Sequence, residues 1–294
     1  MTELRWPDGK VQCPHCGSEN VKYLENARLF KCFEKHDRQK FSLKVGTIFE
    51  DSPIGLEKWL PAMWLAVNCK NGISSYEVHR ALGVTQKTAW FMLQRIRLAM
   101  QESGGKLCGE IEVDETFIGG KARNMHASKR RQKITSRGPK DKAIVFGMVE
   151  RGGKVRASAV VSNQREDLQA AIRECVEAGA AIFSDEHKAD EGLDDDYKHA
   201  VINHAVEYVN GNTHTNTIEN FWALLKRGLH GTYISVEPFH LFRYIDEQAF
   251  RYNNRKDMND SDRFNTAMKQ IVGKRLTYAE LTGKSGPPKE SDPF

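Results

Sequence analysis

From Leu56 to Met100 apolar residues recur at intervals of three and four, with Leu56, Trp59, Leu60, Met63, Trp64 and Val67 tracing one stripe. That period is the mark of helices that bury one side. Ser103-Gly104-Gly105 breaks the pattern, and the period then shortens to two. Stretches at 109–118, 143–150 and 154–161 are rich in Val, Ile and Phe and bounded by glycines, so they read as strands, the last two joined as a hairpin through Gly152-Gly153. A helix is predicted from about 165 to 178, a short apolar strand from Ala180 to Ser184, and two more helices near 216–229 and 238–253. The order βββαβα describes an α/β domain, a mixed sheet flanked by helices. Residues 11–45 differ: short alternating stretches broken by Pro14, Gly17 and cysteines hold too few apolar positions to make a core without help. After about residue 258 the chain turns polar and ends in GPPKESDPF, which predicts disorder over the last ten residues. The expected division is therefore 1–48, 49–104, 105–258 with an insertion at 120–142, and a C-terminal extension at 259–294.

Composition refines this picture at three points. With 294 residues, 39% hydrophobic and 28% charged, the chain has room for one sizeable core and small accessory modules. No run approaches the roughly 18 to 20 apolar residues of a membrane span, and MTELRWPDGK lacks a secretory h-region, so a soluble cytoplasmic protein with no membrane partner is expected. Net charge is only +5, but between Lys121 and Lys142 nine basic residues face one acid, Asp141. Such a run is either a solvated loop or a contact for a polyanion, and Lys129, Arg130, Arg131 and Lys133 are the candidates for the latter.

Six cysteines fall into two groups. Cys69, Cys108 and Cys175 have no ligand spacing and read as buried free thiols of a reducing compartment. Cys13-Pro14-His15-Cys16 is a Cys-x2-Cys knuckle, and Gly17 permits the turn that brings two thiolates onto one metal. Cys32 follows, with His36 four residues on. Three thiolates and an imidazole make a closed tetrahedral site for one structural Zn²⁺, with His15 and Asp37 as competitors for the fourth place. Lys22, Arg28, Lys31, Lys35, Arg38 and Lys40 make the module basic, as suits a ribbon that touches DNA.

Residues 73–96 read as two helices joined at Gly83, the second capped by Thr85. Ala89, Leu93, Ile96 and Met100 form its buried stripe, which leaves Gln86, Lys87, Trp90 and Arg97 available to a DNA groove. The plain alternative to a helix-turn-helix is an ordinary helical hairpin.

Three carboxylates complete the candidate chemistry. In Gly-Glu-Ile-Glu-Val-Asp-Glu, Ile111 and Val113 share one face of a strand and Glu112 and Asp114 the other. Asp185 ends the apolar run Ala-Ala-Ile-Phe-Ser at the C-terminal end of its strand, where open sheets place ligands. Glu219 lies on an amphipathic helix whose Ile218, Phe221, Trp222, Leu225 and Leu229 pack inward, and Lys226 follows two turns later on nearly the same face. Phosphodiester hydrolysis and strand transfer need an activated oxygen nucleophile and a stabilised leaving oxygen, which two Mg²⁺ (or Mn²⁺) ions about 4 Å apart can supply. Asp114 would bridge the ions, Asp185 and Glu219 would hold one each, and Lys226 with Arg227 would meet DNA phosphate.

These residues resemble the insertion-sequence DDE transposases with an N-terminal zinc ribbon, related to the eukaryotic Merlin elements. The resemblance runs over most of the chain and rests on Cys-Pro-x-Cys-Gly at 13–17, Gly46-Thr-Ile-Phe49, and Gly-Ile-Ser-Ser…Lys-Thr-Ala-Trp at 72–90. To these it adds Val-Asp-Glu-Thr-Phe-Ile-Gly-Gly at 113–120 and His214-Thr-Asn-Thr-Ile-Glu-Asn-Phe-Trp-Ala-Leu-Leu-Lys-Arg-Gly228. It implies an RNase H-like catalytic domain behind a zinc ribbon and a helix-turn-helix, inverted terminal repeats and target DNA as double-stranded partners, and cut-and-join chemistry. It also implies at least a homodimer at synapsis and residence with the nucleoid of a bacterium or archaeon. The sequence departs from the family twice. Family ribbons usually end in a second Cys-x2-Cys, where this chain has Cys32-x3-His36. Some relatives carry Asn at the third acidic position, and Asn216 offers one; Glu219, 34 residues after Asp185 and seven before Lys226, fits the spacing better, with Asn216 otherwise a helix N-cap. His214 beside it either touches the scissile phosphate or fills a loop. The rival readings are a DNA-binding regulator without chemistry and a structure-selective nuclease on the same fold.

Overall fold

The computed structural model describes residues 1–102, 104–120, 126–133, 142–185, 196–202 and 214–284. The chain forms two compact units, one of residues 1–100 with 258–294 and the other of residues 101–257.

The first unit opens with a short helix, α1 (Thr2–Arg5), and an antiparallel sheet of β1 (Val21–Leu24), β2 (Leu29–Cys32) and β3 (Lys40–Phe41) in that order. Its core is as small as the pattern implied. Trp6 meets Phe30 edge-on at 5.9 Å, Phe30 stacks on Phe41 at 5.5 Å, and Cys13 and Cys32 are buried among them. Three helices follow, α2 (Leu56–Asn68), α3 (Ser75–Leu82) and α4 (Gln86–Met100). A capping box starts α3: Ser74 Oγ accepts from the Glu77 N–H while Glu77 Oε2 accepts from the Ser74 N–H. Gly83, at φ +60°, closes it in the left-handed conformation that glycine adopts most cheaply. Thr85 Oγ1 then accepts from the Thr88 N–H at 3.1 Å, the cap that the sequence indicated for α4.

The second unit is a five-stranded mixed sheet. Its strands are β4 (Glu110–Ile118), β5 (Ala143–Glu150), β6 (Val155–Val160), β7 (Ala181–Asp185) and β8 (Lys198–Ile202), in the order β6-β5-β4-β7-β8. β4, β5 and β6 form an antiparallel meander turned at Gly152-Gly153, whereas β7 and β8 run parallel to β4. Helix α5 (Ala127–Lys133) lies in the basic insertion, α6 (Arg165–Cys175) precedes β7, and α7 (Asn216–Arg227) and α8 (Leu241–Asn253) follow the sheet. Alternation along the strands feeds two cores. Ile111, Val113, Phe146, Met148 and Ile182 pack with Leu168 and Ile172 of α6. Val145, Val149 and Val155 pack on the other face with Ile218, Phe221, Trp222 and Leu225 of α7 and Ile245 of α8. The α/β class, the mixed sheet and the flanking helices are as the sequence indicated; β8 was not foreseen.

Beyond α8 the chain returns to the first unit through α9 (Asp260–Lys269) and α10 (Tyr278–Leu281). α9 begins with a second capping box, Asn259 with Asp262, and packs on α2 through Phe264 and Trp64, 5.6 Å apart. Past it, the Ile48 N–H donates to the Ile271 carbonyl and the Gly273 N–H to the Gly46 carbonyl, both at 3.0 Å. The Gly46-Thr-Ile-Phe49 motif is therefore a seat for the C-terminal segment, with Thr47, Ile48 and Phe49 fully buried. The expectation for the last ten residues lies outside the described residues. No helix among the described residues is long and apolar enough to cross a membrane.

Candidate active site and metal centre

The metal centre is built from a turn and a strand end. The Cys13–Gly17 knuckle is closed by the Gly17 N–H donating to the Cys13 carbonyl at 2.8 Å and the Cys13 N–H to the Ser18 carbonyl at 2.9 Å. Cys32 ends β2, and the turn after it carries His36. Ligand atoms of Cys13, Cys16, Cys32 and His36 all lie within 4.8 Å of one another. Cys16 Sγ is 3.6 Å from Cys32 Sγ, and Cys13 Sγ is 3.5 Å from His36 Nε2. A disulfide would need about 2.05 Å. Zinc–sulfur bonds of about 2.3 Å put tetrahedral neighbours about 3.7 Å apart, so these separations are those of edges around one ion. Burial opposes ionisation of both inner thiols. At Cys13 the backbone N–H groups of His15 and Cys16 and the neighbouring thiols outweigh it and lower the pKa. At Cys32 burial wins despite the Glu34 N–H, and with the Cys16 and Cys13 thiols it pushes the pKa up to about 11. A dication is what makes such a set of thiolates tolerable. Of the fourth-ligand candidates, His36 is the one in the cluster, while His15 and Asp37 stand outside it.

The candidate active site lies where β4 meets β7 and α7. Asp114 is half-buried in β4; its Oδ1 accepts from the Glu115 N–H at 2.8 Å and its Oδ2 from Trp222 Nε1 at 2.9 Å. Val113 is in register with Ser184 of β7, so the next step of this parallel ladder sets Asp185, the last residue of β7, level with Asp114. Neighbouring strands are about 4.8 Å apart. The Asp185 side chain lies outside the described residues. Glu219 is exposed on α7, one turn before Trp222, and Lys226 is half-buried one turn after it. Spacings of three and four align Glu219, Trp222 and Lys226 in one stripe. The indole that touches Asp114 is thus flanked by Glu219, the candidate metal ligand, and Lys226, the candidate phosphate contact. Asn216 is not the helix cap. It is the first residue of α7, exposed, and Thr215 holds the N-cap position without a side-chain cap bond.

Glu112 fills that role from another element. Its carboxylate, 0% exposed, accepts from the N–H of Thr217 at 2.8 Å and of Ile218 at 3.0 Å, and from the Thr217 hydroxyl at 2.9 Å. Arg151 Nε pairs with it at 2.9 Å, and Arg151 also reaches Glu110 and the His214 carbonyl and lies over the Phe183 ring. His214 Nδ1 is 3.2 Å from the same carboxylate, so His214 lines this cluster. The alternation of β4 had set Glu112 beside Asp114, but nothing local marks its partners, which are 39 and 105 positions away.

Comparison with known proteins decides the family. A model of the ISXO2-like transposase domain matches residues 106–253, and one of the transposase zinc-ribbon domain matches residues 1–34. The chain belongs to the ISXO2-like transposase domain family. The "uncharacterized protein in transposable element ISH50" of Halobacterium salinarum is 27% identical over 240 residues, covering 78% of this chain and 81% of the relative. A chain in a solved simian T-cell lymphotropic virus intasome with a PP2A regulatory subunit is similar over 80% of this chain and 77% of its own. At 13% identity and a TM-score of 0.28, that likeness is too loose to bear on function.

For a member of a transposase family the disposition of basic side chains matters. At the start of α4, Lys87 is exposed with its Nζ 5.0 Å from the Tyr278 ring centre, and Gln86 and Trp90 are half-buried, Gln86 donating to Ser75 Oγ at 2.8 Å. Arg97 does not belong with them. It is 2% exposed, on a helix that is buried on nearly every side from Met92 onward and whose Leu98 carbonyl accepts from Lys274 of the C-terminal segment. Arg130 and Arg131 are exposed on α5, the side chains of Lys129 and Lys133 lie outside the described residues, and Arg227 is exposed at the end of α7. The three scattered cysteines form no disulfide, as expected, but are not buried: Cys108 is exposed and Cys69 and Cys175 are half-buried.

Proposed function

We propose that this chain is a DNA transposase that binds the inverted terminal repeats of an insertion element and cleaves and joins DNA strands at a divalent-metal site of Asp114, Asp185 and Glu219. The observation that carries the reading is the Trp222–Asp114 hydrogen bond, which ties α7, the helix of Glu219 and Lys226, to the strand that bears Asp114. The donor set suits hard cations: carboxylate oxygens, with each Asp114 oxygen accepting from one N–H and the Asp185 position one strand away. Two Mg²⁺ ions, when bound, would lower the pKa of an attacking water or 3′-hydroxyl and neutralise charge on the phosphate and its leaving oxygen. Asp114, Asp185 and Glu219 would hold them, Lys226 would orient the scissile phosphate, and His214 would stand at the edge of the site. The zinc ribbon, with one structural Zn²⁺ on Cys13, Cys16, Cys32 and His36, and the α3–α4 pair, acting as a helix-turn-helix, would read the element ends, while Arg130, Arg131 and Arg227 would grip DNA backbone. Synapsis of two ends would require at least two copies.

The test is Mg²⁺-dependent cleavage of a labelled terminal-repeat duplex. Asp114→Asn and Glu219→Gln should each abolish cleavage and leave duplex binding intact; an active Asp114→Asn protein sinks the proposal. Asn216→Ala decides the third position, since full loss there with Glu219→Gln still active would transfer the role to Asn216.

A further inference from the structure

Hydrogen bonds to two carboxylates of β4 hold α7, with Glu219 between the two points. At one, the buried Glu112 carboxylate receives the Thr217 and Ile218 N–H groups at the start of the helix. At the other, Trp222 donates to Asp114. The spacings agree. Glu112 and Asp114 are two positions apart on one face of a strand, about 6.7 Å. The contact points on α7 are four to five positions apart, about 6 to 7.5 Å along a helix. α7 therefore runs in step with β4, and a slip of one residue would break both contacts. Gly147, level with Asp114 on β5, makes room for the second: a Cβ there would stand 2.5 Å from Trp222 Cη2.

A buried carboxylate is a poor choice for stability alone. Apolar residues of similar volume commonly stabilise as well as a buried ion pair or better, whereas such a pair specifies geometry. Here the Thr217 and Ile218 groups that donate to Glu112 fix the height of α7, Arg151 fixes Glu112 itself, and His214 Nδ1 stands 3.2 Å from the same carboxylate. We infer that Glu112 and Trp222 are positioning residues, a two-point brace that holds Glu219 at a set height beside Asp114 and thereby sets the affinity of the site for divalent metal without touching DNA. The inference rests on the reading of Asp114 and Glu219 as metal ligands.

Trp222→Phe in the whole chain removes the N–H and keeps an aromatic ring in the core. Mn²⁺ binding, followed by electron paramagnetic resonance of the free ion, should weaken about ten- to a hundred-fold, the range for loss of a group that orients a ligand. The Mn²⁺ midpoint for cleavage should rise in the same proportion, with duplex affinity unchanged. Glu112→Gln, which keeps an acceptor for the α7 N–H groups, should act in the same direction. A folded Trp222→Phe protein with the Mn²⁺ affinity of the parent, or with a lower melting temperature as its only change, overturns the brace. Asp114→Asn separates the two readings: if it loses Mn²⁺ while Trp222→Phe does not, only the brace falls, and if it too binds Mn²⁺ like the parent, the metal-site reading falls with it.

Discussion

Gly147→Ala is the sharpest probe of how α7 is seated. Gly147 has no positive φ, so the backbone accepts alanine and the effect is steric. The new methyl would stand 2.5 Å and 2.7 Å from Trp222 Cη2 and Cζ2 and 3.0 Å from Ile218 Cδ1. Carbon atoms at ease are about 3.5 to 4.0 Å apart, so the indole must retreat by about 1 Å. Overpacking of this kind costs about 1–3 kcal/mol, and the stiffer unfolded chain returns about 0.4–1 kcal/mol, for a net loss of up to about 2.5 kcal/mol. At about 2–4 °C per kcal/mol for a domain of this size, the melting temperature falls by up to about 10 °C. The rate should suffer more, because a displacement of about 1 Å in a positioned group costs on the order of a hundred-fold. Differential scanning fluorimetry and Mg²⁺-dependent cleavage, both read below the melting transition of the variant, separate the two effects. A Gly147→Ala protein that cleaves at the parental rate would refute the claim that the seat of α7 controls the site, whatever its melting temperature.

Three other perturbations address the first unit. The whole chain should carry one equivalent of zinc by elemental analysis; His36→Ala should lose it to a chelator far more readily than His15→Ala, and the reverse order would move the fourth ligand to His15. Ser74→Ala removes one arm of the α3 capping box and should cost about 1 kcal/mol, or about 2–4 °C in a thermal melt, with no shift if α3 is held by packing alone. Lys87→Ala should weaken terminal-repeat binding and reduce the slope of log affinity against log salt by about one, whereas Arg97→Ala should lower the melting temperature and leave that slope alone. Equal salt slopes for Lys87→Ala and the parent would remove Lys87 from the DNA face.

What could be read from the sequence was what short-range periodicity and punctuation encode. The alternation of 110–118, the Gly152-Gly153 hairpin, the 13–17 knuckle and the Thr85 cap each depend on residues within a few positions of one another. β8 escaped because Lys198–Ile202 is short and follows an acid-rich stretch that reads as a solvated loop. Arg97 is buried where the stripe left it open, because a helical stripe reveals one buried face and is silent about a second that tertiary packing supplies. Glu112 was visible as a neighbour of Asp114, but its meaning depends on Arg151 and on the first turn of α7, contacts that only the folded sheet creates. The α9 start did carry a local sign, Asn259 with Asp262 three residues on, a capping pattern legible without coordinates.

The return of residues 258–284 to the first unit bears on how such elements recombine. The unit that bears Asp114 is a guest spliced into its host at two seams, near 100 and near 258. A single crossover between two diverged copies anywhere inside the guest would join the Thr47–Phe49 seat of one parent to the Ile271–Gly273 segment of the other, so hybrids with one breakpoint inherit a mismatched host core. Viable mosaics should instead exchange the guest whole, with paired breakpoints at the seams, and the same rule applies to anyone grafting this unit onto a new DNA reader.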